Sequence, residues 1–110
     1  MRLTHTAWPQ AEAPSEDFLR DQLITDGFEP LRWRDAAGML YQPHSHDHDE
    51  SLWVIDGEIT FGIGGRDYHL GAGDRLMLPA GTVHTARVGQ LGCTYFIGQR
   101  TGAPANPDGR

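Results

Sequence analysis

The spacing of hydrophobic and polar positions changes character near residue 27. Before it, Phe18, Leu19, Leu23 and Ile24 recur at helical intervals. Ser15 stands where an N-cap belongs. Glu16 and Asp17 fall in the first turn, where the dipole favours acidic groups, and Gly27 stops the run. The spacing predicts one short amphipathic helix over about 15–26. From Phe28 onward the period becomes two. Leu31-Arg32-Trp33-Arg34 alternates apolar and charged, as a half-buried strand does. Ala36-Ala37-Gly38 reads as a turn, and 39–46 and 51–55 as strands. Asp56-Gly57 reads as a hairpin turn, because glycine adopts the positive φ such turns need. Ile59, Phe61 and Ile63 then alternate with Glu58, Thr60 and Gly62. Further strands are expected at 66–70, 75–78, 83–88 and 93–98, separated by Gly64-Gly65, Gly71-Ala72-Gly73 and Pro79. Many short strands joined by turn residues predict an all-β sandwich or barrel carrying one short N-terminal helix.

The flanks differ from this middle. Residues 1–14, with Pro9 and Pro14, read as an extended arm anchored through Trp8. Residues 101–110 have almost no apolar content and are expected to be disordered. The reading is one domain over 15–100, with no repeat, linker or second domain.

Composition narrows the chemistry. At 110 residues the chain has room for one core. Glycine, 14 of 110, is about twice the usual ~7% and favours turns over helices. Nine basic residues against fifteen acidic ones give a net charge of −6, which speaks against nucleic acid or an anionic membrane as partner. All nine basic residues are arginine, so no lysine is present to form a Schiff base. The single Cys93 excludes an internal disulfide framework and a thiolate zinc cluster. None of Ser15, Ser45 and Ser51 sits in a G-x-S-x-G elbow. No apolar run reaches the length of a membrane span, and residues 1–10 lack a signal-peptide core, so a cytoplasmic location is expected.

Four residues carry the candidate chemistry: His44, His46, Glu50 and His84. Side chains two apart on a strand share a face about 6.6 Å apart, a separation from which two imidazoles can reach one ion through bonds of about 2.0–2.1 Å. Glu50 follows a short connection, and His84 follows the turn Pro79-Ala80-Gly81. Three imidazoles and one carboxylate suit Fe, Mn, Ni or Zn and leave coordination positions open, the mark of a catalytic site. Taken alone, His44-Ser45-His46-Asp47-His48 reads equally well as a solvated polar loop.

The spacing of these residues resembles the cupin superfamily. Its first signature, Gly-x5-His-x-His-x3–4-Glu-x6-Gly, is matched by Gly38, His44, His46, Glu50 and Gly57. Its second, Gly-x5-Pro-x-Gly-x2-His-x3-Asn, is matched by Gly73, Pro79, Gly81 and His84, with Val88 in place of the asparagine. The resemblance spans 38–88, with fifteen residues between the motifs, as in small single-domain microbial members. It implies a double-stranded β-helix, or jelly-roll barrel, holding one divalent transition metal ion on His44, His46, Glu50 and His84.

Strand parity adds expectations. If His44 and His46 face inward, so does Gln42; Glu50 brings Leu52 and Val54 with it, and His84 brings Ala86 and Val88. Tyr95 shares a face with Cys93 and is read as core or ligand contact. Tyr95 and Gln42 are the candidate catalytic residues, the first for acid–base work and the second as an orienting group. His48 is read as a solvent-facing loop residue, His69 as a surface residue, and Trp33 and Trp53 as core or interface aromatics. Of Arg32, Arg34, Arg75 and Arg87, most alternate with apolar residues and so point outward, leaving no clear anion clamp, so a small, partly apolar ligand is expected. The favoured function is a mononuclear metalloenzyme, an oxygen-using, dioxygenase-like oxidoreductase. The alternatives are a metal-dependent isomerase or lyase and a non-catalytic small-molecule sensor. A homodimer, formed through a sheet face or by exchange of the N-terminal arm, is expected.

Overall fold

The computed structural model describes residues 1–100; the expected tail, 101–110, lies outside the described residues. The elements in chain order are β1 (Thr4–Thr6), α1 (Glu16–Thr25), β2 (Phe28–Asp35), β3 (Leu40–His44), β4 (Glu50–Ile63), β5 (Arg66–Leu70), β6 (Arg75–Leu78) and β7 (His84–Arg100). All pairings are antiparallel.

Two long strands organise the molecule. The first half of β4 pairs with β6 and with the second half of β7, and β1 and β2 extend that sheet to the order β1-β6-β4-β7-β2. The second half of β4 pairs with β5 and with the first half of β7, which in turn carries β3. The chain therefore folds one continuous sheet onto itself in a jelly-roll arrangement, open along the side where β2 and β3 are edges.

The crossing from one layer to the other corrects the hairpin expected at Asp56-Gly57. The register shifts between Val54 and Asp56 and again between Gly57 and Ile59, so these residues form bulges inside β4. A bulge bends and twists a strand without ending it. Gly57 (φ 86°) lies against Gly92 (φ 76°) of β7. A Cβ on Gly57 would meet the Gly92 carbonyl and come within 2.9 Å of the Cys93 Cα. Two glycines let two backbones touch at the bend, and for the same reason the strands expected at 83–88 and 93–98 are one strand.

Between the layers lies the larger core, built on Leu52, Val54, Ile59, Phe61, Leu70 and Leu76 among others. A second cluster sits on the outer face, where α1 lays Leu19 and Leu23 over Phe28, Trp53 and Phe96. Ser15 Oγ accepts from the Phe18 amide at 3.3 Å, the expected N-cap. Phe18 and Ile24 remain exposed, so the buried stripe of α1 is narrower than the pattern suggested. The arm is tied to its own domain. Thr4–Thr6 pairs with β6, the Trp8 amide donates to Asp74 Oδ1 at 2.8 Å, and any side chain on Gly73 would overlap the Trp8 ring. Among the described residues, no helix is long and apolar enough to cross a membrane.

Candidate metal centre

The four motif residues arrive from four places. His44 ends β3, His46 lies in the loop after it, Glu50 opens β4 and His84 opens β7. β7 lies between β3 and β4 in the second layer, and His44 faces His84 directly in the register. The ring centroids of His44 and His84 are 4.2 Å apart, those of His44 and His46 5.0 Å, and those of His46 and His84 5.3 Å. Each of the three rings offers a nitrogen within 4.8 Å of the other two. Glu50 brings Oε1 to 3.6 Å from His46 Nε2.

The hydrogen bonds fix the tautomers that ligation needs. His44 Nδ1 lies 2.7 Å from the Gln42 carbonyl and His84 Nδ1 2.9 Å from the Thr82 carbonyl. A carbonyl only accepts, so each Nδ1 carries the proton and each Nε2 keeps its lone pair. Such outer bonds orient the histidines of metal sites. Burial holds the His84 pKa below the ordinary histidine range, opposed by the Thr82 carbonyl and aided by His44 and His46. The neutral ring is the form that binds metal. Glu50, 4% exposed, supplies one carboxylate where charge is otherwise costly. Two overlapping groups of donors could each hold a metal ion, His44, His46 and His84 on one side and His46, His48 and Glu50 on the other.

Three expectations around this cluster need correction. His46 is not on the strand, because β3 ends at His44 and the loop brings the ring in. Gln42 is exposed and does not line the cavity. The register shifts between Tyr41 and His44, so Tyr41 takes the inward place that parity assigned to Gln42. His48, expected to face solvent, is only 27% exposed in its side chain and places Nε2 3.2 Å from Glu50 Oε2. Its Nδ1 lies 3.1 Å from Asp47 Oδ1.

The cluster forms one end of a cavity of about 280 Å³. Leu52, Phe61 and Ala86 form its apolar floor, while Leu31, Ile97 and Gln99 stand at the open side. Val54 and Val88, also expected inward, lie deeper in the core and do not line it. Trp33, Tyr41 and Tyr95 make the remaining wall. Trp33 is thus a cavity residue, while Trp53 packs under α1 as a core aromatic.

Behind that wall sits Asp35, 4% exposed, a residue the pattern reading passed over. Its Oδ1 accepts from Trp33 Nε1 at 3.0 Å and from the Tyr41 hydroxyl at 2.6 Å. Its Oδ2 accepts from the Tyr95 hydroxyl at 2.7 Å. Burial foremost, then the bond to Asp35 and its charge, push the Tyr95 pKa far above the tyrosine range, and Tyr41 shifts the same way for the same leading cause. Both phenols are held as donors to Asp35, so Tyr95 is a poor base. The strand alternation contained the signal: Leu31, Trp33 and Asp35 are two apart on β2. The turn-like Ala36-Ala37-Gly38 that follows concealed it.

Among the described residues, no arginine lines the cavity. Arg32 pairs with Glu16 and Arg34 bonds Thr94 and Leu91. Arg75, expected outward, lies under α1, paired with Asp26 at 2.9 Å and stacked on Trp53 at 4.2 Å.

Residues 31–90 match the model of a family described as the cupin domain. The chain matches no curated protein. Among solved structures, KdgF from Halomonas sp. is similar at 21% identity and a TM-score of 0.59, over 67% of this chain and 70% of that one. An uncharacterized conserved protein with a double-stranded β-helix domain from Klebsiella pneumoniae is similar at 26% identity and a TM-score of 0.60, over 69% of each chain. An RmlC-like cupin from Shewanella frigidimarina is similar at 21% identity and a TM-score of 0.58, over 69% of this chain and 68% of that one. The likenesses at 21% concern the fold alone.

Proposed function

The chain belongs to the cupin family, and on that premise we propose that it is a mononuclear metal-dependent oxidoreductase that uses dioxygen on a small organic substrate. The observation that carries the reading is the convergence of His44, His46, His84 and Glu50 at one end of a largely apolar cavity. The Nδ1 protons of His44 and His84 are already committed to backbone carbonyls. A redox-active divalent ion such as iron, when bound there, would supply Lewis acidity and electron transfer to dioxygen, with open positions for substrate.

The chain's own residues divide the remaining work. Leu52, Phe61 and Ala86 exclude water from the floor. Gln99 offers an amide at the open side for orienting a polar substrate group. The rest of the lining favours oxidation over isomerase or lyase chemistry, which relies on a positioned proton acceptor. Glu50 and the histidines are committed as ligands. Tyr41 and Tyr95 are committed as donors to Asp35. Among the described residues the lining therefore provides no base independent of the cluster itself.

The test is oxygen consumption by the Fe(II)-loaded full chain against a panel of small phenols, diketones and thiols. Substrate-dependent uptake, lost in His84→Ala, supports the reading. Stoichiometric metal with no uptake for any substrate points to a non-catalytic sensor. Turnover of a substrate without dioxygen points to an isomerase or lyase.

A further inference from the structure

We propose that Asp35 is the specificity-determining residue of the cavity, and that the ligand is an uncharged molecule with a planar apolar body. The proposal deepens the reading of the same cavity as a substrate site, and it concerns the end away from the histidines.

The argument begins with hydrogen-bond accounting. Three aromatic residues of the wall carry polar atoms, and each of those atoms is used. Trp33 Nε1, the Tyr41 hydroxyl and the Tyr95 hydroxyl all donate to one buried carboxylate. A carboxylate only accepts, so it can satisfy all three. Their polar tips are drawn back toward Asp35, and their rings are what remains for a ligand to touch. The three come from different strands, β2, β3 and β7. Asp35 therefore also joins the free edges of the two layers, holding the wall in one shape. It positions the three rings and places its own negative charge directly behind them.

Charge decides the rest of the ligand class. Among the described residues the lining contains no arginine, and the chain has no lysine. Two buried carboxylates adjoin the cavity, Glu50 in its lining and Asp35 behind the aromatic wall, each 4% exposed. A ligand anion placed against the aromatic wall would lose water and meet a buried negative charge with no side-chain cation beside it among the described residues; a bound ion would offer positive charge only at the histidine end of the cavity. A flat neutral body loses little hydration there and gains ring-to-ring contact.

The experiment uses two probes that share a ring and differ in charge, benzyl alcohol and benzoate. Each is titrated into the full chain, as purified and again after chelator treatment, while the Trp33 indole N–H signal is followed by ¹H–¹⁵N NMR. The chelated arm removes any carboxylate–metal contact, so a failure of the metal reading leaves this test standing. Benzyl alcohol is expected to shift the Trp33 signal and bind at least about tenfold tighter than benzoate, a ratio that one nearby buried charge readily supplies. Asp35→Asn keeps the shape and removes the charge, and is expected to cut that ratio several-fold. Tyr95→Phe keeps the charge and is expected to leave the ratio unchanged, which a purely structural role for Asp35 does not explain. Equal affinities for the two probes in the chelated wild type overturn the proposal, whether or not the variants fold. So does an Asp35→Asn ratio equal to that of the wild type.

Discussion

The Tyr95 hydroxyl donates to Asp35 Oδ2 across 2.7 Å, joining two residues sixty positions apart in the chain, both nearly inaccessible to solvent. β2 and β7 pair with Trp33 opposite Tyr95 and Asp35 opposite Cys93, so the bond runs diagonally across that pair. With Tyr41 and Trp33 it completes the three-donor shell of one carboxylate. Losing one donor is cheap compared with losing the common acceptor. Tyr95→Phe is expected to cost about 1–2 kcal/mol and Asp35→Ala about 3–5 kcal/mol, because the latter leaves three donors without a partner. Urea denaturation of both variants checks the order. Equal losses would mean that the carboxylate is not the hub.

His48 holds the oxygen of Glu50 that faces away from His46: Oε2 is 3.2 Å from His48 Nε2, while Oε1 faces His46. Removing an outer partner of a metal ligand typically weakens metal affinity ~10–100-fold while leaving the ligands in place. His48→Ala is expected to fold normally and to bind one ion per chain with affinity reduced by about that factor. Competition with a chromophoric chelator measures it, and an unchanged affinity would return His48 to a surface role.

Cys93 is fully buried between the layers, and burial foremost, with the Asp35 charge adding to it, pushes its thiol from an ordinary value near 9 up to about 12. A folded pKa above the unfolded one favours the neutral thiol. Its contribution to stability is therefore whole below about pH 9 and is lost as pH rises from there to about 12. In that window the wild type is expected to lose stability faster than Cys93→Ala, by up to about 1.4 kcal/mol per pH unit. Denaturation midpoints at pH 8, 9.5 and 10.5 test this. Parallel slopes would contradict it.

The meeting of His44, His46 and His84, with Glu50 beside His46, was legible in the sequence because the motif depends on residue type and spacing, and these residues keep both. The helix cap at Ser15 was legible for a similar reason, since a cap is a local event. What the pattern missed depends on register. Gln42 and Tyr41 exchanged roles because one irregularity in β3 shifts the parity of every residue before it. Asp56-Gly57 has the residues of a tight turn, yet the packing of two long strands at Gly57 and Gly92 made it a bend. Asp35 reads as an ordinary charged residue before a turn. Its role exists only because Tyr41 and Tyr95 arrive from other strands to share it. His48, between Asp47 and Asp49, reads as a solvent-facing loop residue, and the short loop folds it back onto Glu50.

The reading of the site stands or falls on metal content. Purified full chain, its His46→Ala variant and its His84→Ala variant are compared by elemental analysis after equilibration with a divalent transition metal and removal of excess. The expected result is close to one ion per wild-type chain and well under half an ion in either variant, with the folded circular dichroism spectrum retained. Wild-type protein that retains no ion, or variants that retain as much as the wild type, would contradict the assignment of His44, His46, Glu50 and His84 as a metal centre.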